Sequence, residues 1–133
     1  VTGERSPPLG NHKGAFQRLV SPFVDAPDND VVSLADGDTV GSFTTYHTPG
    51  HTPGHVCYVS ESLSLGLLGD LVREDSGRFE PSPWLLSYDT DAVTRSISEF
   101  AERAPDFDIA VPGHGVPFEK NGSERLARLA ATL

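Results

Sequence analysis

The sequence contains one cysteine, no methionine, two lysines and no long hydrophobic run. Cys57 alone cannot form an intrachain disulfide, and it excludes a cysteine-rich zinc site. Free cysteines pack readily in cores, which favours a buried Cys57 over a reactive thiol. No apolar stretch approaches the roughly 18 residues of a membrane span, and residues 1–10 show no signal-peptide pattern. We therefore expect no membrane association and a cytoplasmic location. The first residue is Val rather than Met, which suggests further sequence upstream.

The sequence is strongly acidic, with 19 acidic and 10 basic residues and a net charge of −9. Such a chain repels nucleic-acid phosphates, so nucleic acid is excluded as a partner. The acidic, lysine-poor composition favours a halophilic protein, because high salt screens self-repulsion. An ordinary acidic cytosolic protein is the alternative.

Residues 1–30 are rich in loop signals and predict an irregular lead-in segment, followed by a structured region over residues 31–133. Apolar and β-branched runs predict five strands, over 31–34, 39–47, 55–60, 63–68 and 108–111. Helical spacing predicts helices over 89–103 and 123–133, the second capped by Ser123. This order predicts an α/β fold with helices on one face of a sheet.

The most informative pattern is a glycine-containing turn with a histidine or aspartate after each of three predicted strands. These turns are Thr-Pro-Gly-His-Thr-Pro-Gly-His at 48–55, Leu-Gly-Asp at 68–70 and Val-Pro-Gly-His-Gly at 111–115. Imidazole and carboxylate groups at strand ends are ligands that zinc accepts. The pattern therefore predicts a metal site at one rim of the sheet.

Together, these three motifs resemble the metallo-β-lactamase-fold hydrolase superfamily, over about residues 31–118. The intervals of 19 residues from His51 to Asp70 and 44 from Asp70 to His114 suit that family. The local sequence is nearest to glyoxalase II-like and lactonase-like members. The resemblance implies an α/β chain that is the C-terminal half of a four-layer αββα metallo-β-lactamase fold.

The resemblance also implies the roles of the candidate ligands. His51 would bind a first metal, His114 a second, and Asp70 would bridge the two. The complete fold would hold one or two zinc ions, although iron or manganese suits the same ligands. The implied reaction is hydrolysis of a small-molecule ester, thioester or lactone by metal-bound hydroxide.

Three further residues near the motifs leave alternatives open. His55 begins a predicted strand, so orienting a ligand or a purely structural role is favoured over binding metal. His47 is interpreted mainly as a strand-end side chain, with ligand orientation as its other role. Trp84 is a candidate for lining the substrate pocket, and a core or interface anchor is equally compatible.

The sequence departs from the family pattern in one important respect. The upstream motif His-x-His-x-Asp-His is absent, and His12 matches nothing in it. We therefore expect a hydrolase fragment that is inactive alone, or alternatively a non-catalytic half-fold module that acts by association. A half-fold would leave an apolar sheet face open, with candidate residues Val56, Tyr58, Leu65 and Leu67. Self-association or pairing with an N-terminal half would cover that face.

Overall fold

The computed structural model describes residues 32–133, which form a six-stranded mixed sheet and two helices. In chain order the elements are β1 (Thr39–Val40), β2 (Phe43–His47), β3 (Val56–Ser60), β4 (Leu65–Asp75), β5 (Arg78–Pro81), α1 (Thr90–Arg103), β6 (Ile109–His114) and α2 (Gly122–Ala130). The predicted α/β arrangement is confirmed, and the predicted lead-in over residues 1–30 lies outside the described residues. Neither of the two helices is long and apolar enough to cross a bilayer.

Strand β4 organises the sheet because it pairs with three other strands. Strands β1 to β5 are joined in sequence order by antiparallel pairing, whereas β6 runs parallel to β4. The first half of β4 pairs with β3 and the second half with β5. Opposite β6 the register is irregular between Gly69 and Arg73, so Asp70 lies in a bulged part of the strand.

The core lies between the sheet and the two helices, as alternation along the strands requires. Its buried side chains come from four strands, both helices and the segment before β6: Cys57, Val59, Leu68, Leu71, Val72, Phe79, Val93, Ile97, Phe100, Phe107, Ala110 and Leu126. Helix α1 begins at its N-cap Asp89, whose carboxylate accepts a hydrogen bond from the Ala92 N–H at 2.9 Å.

On the opposite face of the sheet, the side chains of Val56, Tyr58, Leu65 and Leu67 are half-buried. They are therefore less open than the sequence alone predicts for a half-fold. Association through this face stays a prediction.

Several predicted strand bounds were wrong. Residues 32–34 form no strand, and the strand predicted over 39–47 is a hairpin, because Gly41 turns the chain at φ +61°. Strand β4 continues seven residues beyond its predicted end at Leu68. That extension places Leu71 and Val72 in the core and ends in the polar residues 73–75. Cross-strand pairing with β5, which was not predicted, stabilises the polar end through the ion pair Arg73–Glu80.

The predicted N-cap of the last helix was also wrong. Asn121 holds that position, in the left-handed region at φ +57°. The Ser123 hydroxyl instead accepts a hydrogen bond from the Phe107 N–H at 2.6 Å. Ser123 therefore ties α2 to the segment that precedes β6.

Candidate metal centre

The carboxylate of Asp70 lies between two histidines that come from distant parts of the chain. His51 follows β2, Asp70 lies in the bulge of β4, and His114 is the last residue of β6. The Nε2 atom of His51 is 3.6 Å from Asp70 Oδ2, and Nε2 of His114 is 3.3 Å from Oδ1. The structure therefore brings the three predicted ligands together, with each histidine facing a different carboxylate oxygen.

These two distances fit a metal in each gap. Ligand atoms at about 2.0–2.2 Å from a tetrahedral metal are about 3.3–3.6 Å from one another. Residues 32–133 contain no group of three His, Cys, Asp or Glu side chains arranged to hold a single ion. Asp70 is instead shared by two pairs, so the arrangement would suit a carboxylate that bridges two metals. The roles of the three residues as ligands stay predictions.

The His51 ring is oriented by a serine that the sequence analysis did not identify. Nδ1 of His51 lies 3.0 Å from the hydroxyl oxygen of Ser82, which is buried. Metal-binding histidines usually have such a partner on the second ring nitrogen. Ser82 is 31 residues away along the chain. No local pattern could have identified it, because only the β4–β5 hairpin brings it to His51.

Gly113 leaves the space that the Asp70 carboxylate occupies. A Cβ atom at position 113 would lie 2.2 Å from Asp70 Oδ1. The motif Pro-Gly-His therefore contributes more than the His114 ligand. Its glycine allows β6 to pass close enough to β4 for His114 to reach the same carboxylate.

The side chain of Glu74 holds the segment that follows His114. One carboxylate oxygen accepts the Gly77 N–H at 2.8 Å, and the other accepts the Val116 N–H at 3.2 Å. Glu74 thus joins the β4–β5 turn to the chain just beyond the second histidine. The His114 side chain itself is 77% exposed, compared with 21% for His51.

His55 belongs to a directional chain of hydrogen bonds behind the candidate ligands. The Cys57 thiol donates to the Leu68 carbonyl at 3.2 Å, and the Thr48 hydroxyl donates to the Cys57 sulfur at 3.4 Å. The Thr48 oxygen then accepts from Nδ1 of His55 at 2.8 Å, which places the ring proton on that nitrogen. Burial lowers the pKa of His55, and the nearby His51 lowers it further. The neutral ring packs edge-on against His51, with 6.4 Å between centroids.

His47 contacts none of the three candidate ligands within the part of the chain that the structure describes. Its Nε2 atom lies 3.0 Å from the Pro53 carbonyl oxygen, so the ring supports the Thr-Pro-Gly turn. Its backbone N–H donates to Asp36 at 2.8 Å. This bond, with the Arg103 side chain, holds the pKa of Asp36 below its ordinary value. These contacts agree with the strand-end interpretation.

Trp84 lies in a turn that is attached to the His51 segment. The turn is closed by the Pro83 carbonyl, which accepts the N–H groups of Leu86 and Ser87 at 3.0 Å. On either side, Ser82 contacts the His51 ring and the Tyr88 N–H donates to the His51 carbonyl at 3.1 Å. Three consecutive side chains of the turn are exposed, at 66%, 66% and 54%: Trp84, Leu85 and Leu86.

We predict that Cys57 reacts with thiol reagents only after unfolding. The side chain is fully buried, and burial raises the pKa of the thiol to about 12. An unfolded cysteine ionises near pH 8.5, so the unfolded state binds fewer protons between pH 8.5 and 12 and stability falls as pH rises there. Ellman's reagent at pH 8 should label the native chain no faster than it unfolds. Rapid labelling without denaturant would contradict the buried assignment.

Comparisons with known proteins agree on one family. The sequence profile of the metallo-beta-lactamase superfamily matches residues 4–114. A search of curated protein sequences returned no significant match.

Solved structures give the same fold. The metallo-beta-lactamase family protein TTHA1429 from Thermus thermophilus is 22% identical, with a TM-score of 0.57 over 80% of this chain and 36% of its own. TTHA1623 in a di-iron-bound form is 25% identical, with a TM-score of 0.61 over 83% of this chain and 52% of its own. The mono-zinc form of FIM-1 from Pseudomonas aeruginosa is 17% identical, with a TM-score of 0.57 over 89% and 54%. The chain therefore spans between about a third and about half of these proteins.

Proposed function

Because the chain belongs to the metallo-beta-lactamase superfamily, we propose that it forms part of a metal-dependent hydrolase for small-molecule esters, thioesters or lactones. The superfamily carries a metal-dependent hydrolase fold, and its members bind metal ions. Within this class, we propose that the hydrolase is glyoxalase II-like or lactonase-like. It rests on the local sequence around residues 48–55, 68–70 and 111–115.

The shared carboxylate of Asp70 is the observation that supports this proposal most directly. His51 and Asp70 would hold one metal, and Asp70 and His114 a second, because both gaps have the ligand-to-ligand spacing of a tetrahedral site. A metal held by these residues would lower the pKa of a water molecule and would supply a hydroxide nucleophile near neutral pH.

The residues around the ligands would position them for this chemistry. Ser82 fixes the His51 ring so that Nε2 faces Asp70. Burial lowers the pKa of His55 and favours its neutral form, so no additional cation competes with metal beside His51. The exposed turn at Trp84 would offer an apolar wall to the acyl part of a substrate, because it is attached to the His51 segment.

Zinc is the metal that we propose, and iron and manganese are the alternatives. FIM-1 has been solved with one zinc and TTHA1623 with two irons, so the fold accepts both elements. The 133 residues lack the motif His-x-His-x-Asp-His, and the described part of the chain supplies three candidate metal ligands. We therefore propose that the chain alone is catalytically inactive and binds metal weakly. Cytoplasmic location, halophilic adaptation and pairing with another half-domain remain predictions from the sequence.

The proposed function is tested by metal analysis and a substrate panel. The chain, and any longer form that its gene encodes, would be purified and assayed for zinc, iron and manganese. Each form would then be tested with an aryl ester, a thioester, a lactone and a β-lactam. We expect metal-dependent hydrolysis of an ester, thioester or lactone by the longer form, with no turnover by the 133 residues. Preferential β-lactam hydrolysis, or robust turnover by the 133 residues alone, would contradict the proposal.

A further inference from the structure

A cavity of about 480 Å³ between α2 and β5 is lined by three arginines, Arg78, Arg125 and Arg128. The sequence has only 10 basic residues and a net charge of −9, so this concentration of positive charge is local. The volume falls within the range of small-molecule pockets, about 300–1,000 Å³. None of the three candidate metal ligands lines this cavity.

Arg125 is held in place without a carboxylate partner among residues 32–133. Its Nε–H donates to the Lys120 carbonyl at 3.3 Å, and Nη1 donates to the Gly77 carbonyl at 3.2 Å. The guanidinium also lies 4.1 Å from the centroid of the Phe118 ring. Backbone carbonyls and an aromatic face orient the group, and no acidic side chain in the described part of the chain pairs with it. A guanidinium has five N–H donors, so three remain for a ligand.

The other two arginines differ in how far their charge is compensated. Arg128 pairs with Glu124 on the same helix at 2.6 Å. Arg78 is exposed and pairs with no acidic residue in the described region. Glu80 is the one carboxylate among the described residues that line the cavity, and it is paired with Arg73. Arg78 and Arg125 therefore present two positive charges that have no acidic partner within residues 32–133.

The cavity also offers apolar surface beside these charges. Phe79 and Leu129 line it, and Phe79 packs edge-on against Phe118 with 4.9 Å between ring centroids. We propose that this cavity binds a small organic anion with a carboxylate or phosphate head and an apolar body. The planar guanidinium groups would bind the head in a bidentate manner, and Phe79 and Leu129 would contact the body.

The proposal can be tested by NMR titration of the ¹⁵N-labelled chain, following the Nε–H signals of arginine. The probes are phenyl phosphate and benzoate, with inorganic phosphate, phenol and benzylamine as comparisons. We expect saturable binding of at least one aromatic anion, weaker binding of inorganic phosphate, and none of phenol or benzylamine. Comparison of the first two probes distinguishes a phosphate head from a carboxylate. Absence of saturation by both aromatic anions up to about 10 mM would overturn the proposal.

Matched charge variants separate a site from a general charge effect. Arg78→Gln should weaken binding of the better probe about tenfold, because it removes one of the two unpaired cations. Arg95→Gln removes an exposed arginine of α1 that does not line the cavity, and it should change affinity less than about twofold. Equal effects of the two variants would overturn the proposal. Arg125→Gln also removes contacts to two backbone carbonyls, so the folding-neutral Arg78→Gln carries the test.

Discussion

Replacing Asp70 with alanine will weaken zinc binding at least about a hundredfold. The reason is its position between His51 and His114, each of which faces one carboxylate oxygen. Losing a residue that only orients a ligand already costs about 10–100-fold in metal affinity. Removing the group shared by both pairs should cost more. Calorimetric titration of the metal-free chain with zinc measures the change directly.

The matched control is Asp106→Ala, which removes the same charge from an exposed position outside the candidate centre. It should leave zinc affinity within about twofold of the parent chain. Both variants should keep the free energy of unfolding within about 1 kcal/mol, because neither carboxylate is buried. Equal zinc affinities for the parent chain and Asp70→Ala would show that Asp70 is not a zinc ligand. Sub-nanomolar affinity of the parent chain would mean that a ligand had been missed.

Replacing Gly50 with alanine will destabilise the chain by about 3 kcal/mol or more. Gly50 has a φ of +142°, and a Cβ atom there would lie 2.4 Å from the backbone nitrogen of Val93. That contact is with the first turn of α1, whose backbone cannot retreat without breaking its own hydrogen bonds. The free-energy costs of overpacking and of an unfavourable backbone conformation therefore add together. Urea denaturation, followed by circular dichroism, measures the loss.

The chain supplies its own control for this substitution, because the four residues Thr-Pro-Gly-His occur twice in succession. At Gly54, the second glycine, a new Cβ atom would meet nothing within 4 Å, and φ is not in the left-handed region. Gly54→Ala should therefore change the free energy of unfolding by less than about 1 kcal/mol. Similar losses for Gly50→Ala and Gly54→Ala would show that α1 does not pack on the first turn in the way described.

Gly50 and Gly54 show which features the sequence could predict and which it could not. Local patterns predicted α1, β3 and the positions of His51 and His114 after strands, because periodicity and turn chemistry are local properties. The predicted strand end at Asp70 was wrong, because β4 continues through a bulge to Asp75. The repeated Thr-Pro-Gly-His gave no reason to distinguish Gly50 from Gly54. Their difference arises from α1, which begins some forty residues later and packs against only one of them.

Dependence on residues that are distant in sequence also explains why some contacts of the candidate site were not predicted. Ser82 reaches His51 across 31 residues, and the turn of Trp84 is attached to that segment by backbone hydrogen bonds. Strand β5 itself was missed because its four residues are mostly polar or aromatic and carry too short a pattern. A hairpin that forms by pairing with an already anchored strand leaves little signal in its own sequence.

The pairing of β4 with three strands also has a consequence for how the chain opens. Amides in the first half of β4 lie between β3 on one side and β6 on the other, so their exchange with solvent should require global unfolding. Asp70 follows this most protected segment directly, whereas His114 ends a strand at an exposed edge of the same site. Fluctuations of the native chain would thus release His114 long before Asp70. An ion held between these two residues would leave from the His114 side, and its residence time would report how often the end of β6 frays.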